Sequence, residues 1–85
     1  MYEYMICNAP DDDVFSRQCQ AMEARIPNLK KGKLLIDVDG SQTQLYSVDS
    51  HRISVHNSYY IGAVYVKSEI DLIPFFSIRH CSKII

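Results

Sequence analysis

Apolar residues recur along this chain with two different periods, and each period predicts an element. Phe15, Cys19, Met22 and Ile26 step by four, three and four, which is one face of an α-helix. Asp11, Asp12 and Asp13 precede that stripe. There an aspartate accepts from free backbone N–H groups, and further acids meet the positive end of the helix dipole. Pro27 disfavours helical geometry at Ile26, so the helix is expected from about Asp12 to about Arg25.

The rest of the pattern is strand-like. Residues 2–7 are rich in aromatic and β-favouring types, and Asn8-Ala9-Pro10 breaks the run. Residues 28–32 read as a basic turn and residues 33–38 as a second strand. Asp39-Gly40 follows as a two-residue hairpin loop, because a type I′ turn needs positive φ at both central residues. That loop sets Val38 against Ser41, Ile36 against Thr43 and Leu34 against Leu45, on the expected core face. Lys33, Leu35, Asp37, Gln42, Gln44 and Tyr46 are then left on the other face. Asp49-Ser50-His51 is a second turn. Ile53 and Val55 alternate with Arg52, Ser54 and His56 in a half-buried strand, and Asn57-Ser58 turns again. Residues 59–67 are apolar on both faces, as expected of a central strand, with Gly62 marking a bulge or a close backbone approach. Residues 70–73 are expected to form a last strand, which Pro74 places at an edge or ends.

These elements predict an α+β domain: one N-terminal helix packed on a mostly antiparallel four- to five-stranded sheet, in the order β-α-β-β-β-β. At 85 residues, 1–85 is a single domain, with 77–85 expected to be a flexible C-terminal tail. One helix of about fourteen residues is too narrow to cover five strands, so part of the sheet is expected to stay open or to be covered by the tail or a partner.

Charge narrows the partners. Nine Lys and Arg against ten Asp and Glu leave a net charge of -1, which argues against a protein whose main work is gripping nucleic acid or an anionic membrane. The start of the chain lacks a basic region and a signal-length apolar core, and the expected location is cytoplasmic. Cys7, Cys19 and Cys81 are odd in number and scattered, which fits reduced thiols better than a disulfide framework.

Candidate chemistry is sparse. The three histidines and three cysteines show no metal-ligand spacing, and Gly32, Gly40 and Gly62 form no phosphate-binding loop, so no metal or cofactor is expected. Lys30, Lys31 and Lys33 read as a solvated turn. Arg52, Ser54 and His56 alternate on one strand face, which can set a general base beside a phosphate-stabilising cation. Six tyrosines are the more unusual feature. Tyr2 and Tyr4 are expected to share one strand face, and Tyr59 and Tyr65 another. Tyrosine gives rigid contact area with a polar tip and is enriched at interfaces.

The leading expectation is a small non-catalytic protein-binding domain that inhibits a partner by steric occlusion. Its binding residues would be Tyr2, Tyr4, Tyr46, Tyr59, Tyr65, Asp37, Asp39 and Asp49, with the acids imitating phosphates if the partner, a toxin or nuclease for example, binds nucleic acid. Immunity proteins, antitoxins and phage-type inhibitors share this size and charge balance, an analogy of composition alone. The alternatives are a metal-independent ribonuclease using His56 and Arg52 with Ser54, and a homodimer or larger self-assembly through the open face.

Overall fold

The computed structural model describes residues 1–76. Strand β1 (Tyr2–Cys7) leads into helix α1 (Asp12–Arg25), followed by β2 (Lys30–Ile36), β3 (Gln42–Val48), β4 (His51–Ser58) and β5 (Ala63–Ser68). The five strands form one antiparallel sheet in the spatial order β1-β5-β4-β3-β2, so the helix carries the chain from one edge of the sheet to the other. This is the α+β architecture that the two periodicities predict.

Helix α1 begins where the aspartates place it. The Asp11 carboxylate caps it, accepting from the N–H groups of Asp13 at 2.9 Å and Val14 at 3.1 Å. Phe15, Gln18 and Met22 are buried against the sheet, chiefly over β4, with Val14, Cys19 and Ala21 beside them. Alternate residues of the strands meet this face: Tyr4 and Ile6, Tyr46 and Val48, Ile53 and Val55, Val64 and Val66.

Three of the core's polar groups tie its parts together. Asn57 is fully buried, accepts from the Asp11 N–H at 3.0 Å and donates to the Asp12 carboxylate at 2.8 Å, which pins the helix start to β4. Tyr46 donates to Glu23 at 2.6 Å, and Glu23 also pairs with Lys31 at 3.4 Å. Burial first, and the Glu23 carboxylate second, push the Tyr46 phenol well above its ordinary range. Gln44 donates to the carbonyls of Gly32 at 2.9 Å and Lys33 at 3.3 Å, where the pairing of β2 slips by one residue.

Several expected details are corrected. The hairpin after β2 has a three-residue loop, with Asp37 and Ser41 closing it and Gly40 at φ 89°. Ile36 therefore lies opposite Gln42, and Leu34 opposite Gln44. A one-residue slip exchanges the two faces of a strand. Gln44 and Tyr46 consequently face the helix, and Thr43 and Leu45 face away. The type I′ geometry appears instead at Asp49-Ser50, where both residues have positive φ between the paired Val48 and His51.

The expected basic turn is the first part of β2, an edge strand exposed along its whole length. Residues 59–62 are a turn and not part of a strand: Gly62, at φ 78°, donates back to the Ser58 carbonyl at 2.9 Å. Tyr59 and Tyr65 thus share no strand face. The expected last strand is absent, and residues 69–76 fold over the helix side of the sheet with a 3-10 turn at Ile73–Phe75. Leu72 and Phe76 are buried there, and the Tyr4 hydroxyl fixes the segment by accepting from the Leu72 N–H and donating to Asp71, both at 2.9 Å.

Candidate functional site

The helix and residues 69–76 occupy one side of the sheet, and the other side carries the grooves. Cross-strand pairing arranges that open face in rows. Leu35, Thr43, His56, Tyr65 and Met5 form one row; Leu45, Ser54, Lys67 and Glu3 form the next; Ser47 and Arg52 lie beyond.

His56 sits near the middle. Its ring stacks on Tyr65, with centroids 4.5 Å apart and planes 5° from parallel. Its Nε2 lies 2.7 Å from the Ser54 hydroxyl and its Nδ1 3.3 Å from that of Thr43. Burial, then the nearby Lys67 charge, lower the imidazole pKa from its ordinary value. Arg52, Ser54 and His56 do project from one face, as their alternation predicts. Arg52, however, is four residues from His56, about 13 Å along an extended strand. Both side chains nevertheless border one groove on the open face.

Two grooves flank the His56 and Tyr65 pair. One, of about 440 Å³, lies over Leu45 and Ser54 and extends to Arg52 and Lys67. The other, of about 430 Å³, lies at the end of the sheet where β2 stops and β5 starts; Asp37, Val38, Asp39 and Tyr60 border it.

That end of the molecule is acidic and apolar at once. Tyr59 packs over Gly40, donates its N–H to the Ser41 hydroxyl at 2.9 Å and points its own hydroxyl at Asp12, 3.4 Å away. The negative charge of Asp12, with that of Asp11 and Asp39, raises the Tyr59 pKa. Hydrogen bonds from Ser41 lower the pKa of Asp39. Asp13 is paired with Arg17. Around these acids Val38 is fully exposed, Tyr60 is 92% exposed, and Ile61 and Ile36 are also exposed.

The residues singled out in the sequence are thus divided. Asp37, Asp39 and Tyr59 come together at the acidic end. Asp49 lies at the opposite end in the β3–β4 turn, and Tyr2 lies at that end of β1. Tyr4 and Tyr46 are buried in the core with their hydroxyls bonded to Asp71 and Glu23, which corrects the contact role expected of them. Tyr65 faces the open side but is only 7% exposed beneath His56. Val38, expected on the core face, stands instead fully exposed in the hairpin loop, and Tyr60, Thr43 and Lys67 join it as residues of the grooves. The first two are apolar residues at turn tips, a signal present in the sequence; the last two gain meaning only from strand order. Cys7 and Cys19 are half-buried against the core, and Cys81 and His80 lie outside the described residues. Among the described residues no cluster of metal-binding side chains occurs, and no helix is long and apolar enough to cross a membrane.

No protein family, curated protein or solved structure matches this chain.

Proposed function

We propose that this protein is a non-catalytic docking domain that covers a basic surface of a partner protein with its acidic, aromatic end. The observation carrying this reading is the gathering of exposed Val38 and Tyr60 around Asp37 and Asp39, beside a groove. Apolar side chains standing fully in water are unfavourable unless a partner removes them from it. Acids among them select a partner of opposite charge and speed its approach. The exposed β2 edge continues the surface through Ile36, so a partner strand can extend the sheet. Such a cap acts by occlusion, as an inhibitor would, and a partner that handles nucleic acid would present the complementary charge.

The test compares the full chain with two variants, Val38→Ser/Tyr60→Ala and Asp37→Asn/Asp39→Asn, as immobilised baits in lysate of the source cells. The expected result is a stoichiometric partner that added heparin displaces, that both variants lose, and whose activity the wild-type chain blocks. A partner retained equally by both variants overturns the reading. So does a chain that elutes as its own dimer through this surface.

A further inference from the structure

The groove over Leu45 and Ser54 lies on a different part of the molecule from the acidic end and has the opposite character. Its floor is the sheet itself, with Leu45 supplying apolar surface and the Ser54 and Ser47 hydroxyls supplying polar points. Lys33 borders it from the β2 side and Lys67 from the β5 side, three strand spacings apart, about 14 Å. Arg52 closes the end towards the β3–β4 turn, and His56 the other. None of the described residues lining the groove is acidic. Glu3 lies beyond it, across from Lys67 on β1. The Lys67 ammonium is 5.8 Å from the centre of the Tyr65 ring, a position that keeps its charge over the open face.

A volume of about 440 Å³ is ample for a small organic molecule. An apolar floor ringed by cations selects against two ligand types. A neutral hydrocarbon would strip water from the ring without repaying it, and a bare inorganic anion would leave Leu45 uncovered. The groove is complementary to a molecule that has both parts.

We infer that this groove binds a small amphipathic anion, its apolar body on Leu45 and its anionic head held by Arg52 and Lys67. The head accepts hydrogen bonds from the guanidinium and the ammonium. Lys33 reaches over the body from the opposite side and lays its methylene stem against it. The acidic groove at the far end, bordered by Asp37 and Asp39, repels the same ligand and serves as an internal control. The inference does not depend on the docking reading, because the two surfaces share neither the acids nor the exposed turn residues.

The probe is decanoate, titrated against the full chain with 1-anilinonaphthalene-8-sulfonate as fluorescent reporter. The chain contains no tryptophan, so the reporter's emission is read without indole background. Amide shifts in two-dimensional NMR locate the site. The expected result is saturable one-to-one binding, with shifts centred on Leu45, Ser47, Arg52, Ser54 and Lys67. Arg52→Gln/Lys67→Gln should weaken decanoate about tenfold or more, as loss of charge-assisted bonds does. Asp37→Asn/Asp39→Asn should leave it unchanged. Leu45→Glu gives a second route to loss without touching the cations, and thermal melts confirm that each variant is folded. Four outcomes overturn the proposal: no saturable binding, decanol or inorganic phosphate binding as tightly as decanoate, affinity that survives removal of both cations, or hexaglutamate binding more tightly than decanoate. The last would mark the groove as an acidic-peptide site.

Discussion

The two faces of the sheet use the same strands to opposite ends. On the helix side, every second residue of β1, β5, β4 and β3 goes into a common core, and Asn57, Tyr46 and Gln44 are hydrogen-bonded across elements. On the open side, the alternate residues of the same strands leave grooves, and their hydroxyls gather around one histidine. The pleat separates a packed, hydrogen-bonded side from an open, grooved one. One side can vary while the other holds the chain together.

Substitution should break that separation in a graded way. Met22→Ala opens a cavity where α1 meets the sheet and should cost about 2–5 kcal/mol. Leu35→Ser on the open row should cost about 0.5 kcal/mol or less. Urea unfolding of both variants measures the contrast, and equal losses would abolish the distinction between the faces. Asn57→Ala comes next. It leaves the Asp11 N–H and the Asp12 carboxylate without their partner and should cost about 1–3 kcal/mol. Hydrogen exchange at the first turn of α1 should rise with it, and unchanged exchange there would show that the helix start does not need β4.

The smallest effect lies on the open face. Burial and Lys67 hold the His56 pKa below its ordinary value, so the folded state binds a proton less readily than the unfolded chain does. The stability this gives is complete above the ordinary value, near 6.5, and is lost as the pH falls through the folded value. Between about pH 7.5 and about pH 5.5, wild type should therefore lose more stability than His56→Gln. Parallel unfolding curves for the two proteins would contradict it.

The sequence states some of this directly. The bounds of α1 are written in Asp11 and Pro27, and the orientation of β4 in the alternation of Arg52, Ile53, Ser54, Val55 and His56. The faces of β3 are not legible, because its most apolar-looking member, Leu45, lies outside the core while Gln44 lies in it. That inversion follows from one extra loop residue, which Asp39-Gly40 does not reveal. The run 59–67 misleads for a related reason: its apolar beginning is a turn, anchored by Ser41 from a neighbouring hairpin. The candidate site depends on strand order and register, so only its His56 strand could be read in advance.

The pairing of β1 with β5 has a consequence for how the chain is made. Tyr2 finds its partner at Ser68, with the helix and three strands in between. During synthesis β1 leaves the ribosome first and acquires its ladder last, a wait on the order of seconds at ordinary elongation rates. Through that interval β4 has no neighbour on the β5 side, and a nascent chain in a crowded polysome carries an unfinished seam. Supplying residues 1–10 as a separate peptide to a chain lacking them would turn that seam into a complementation assay.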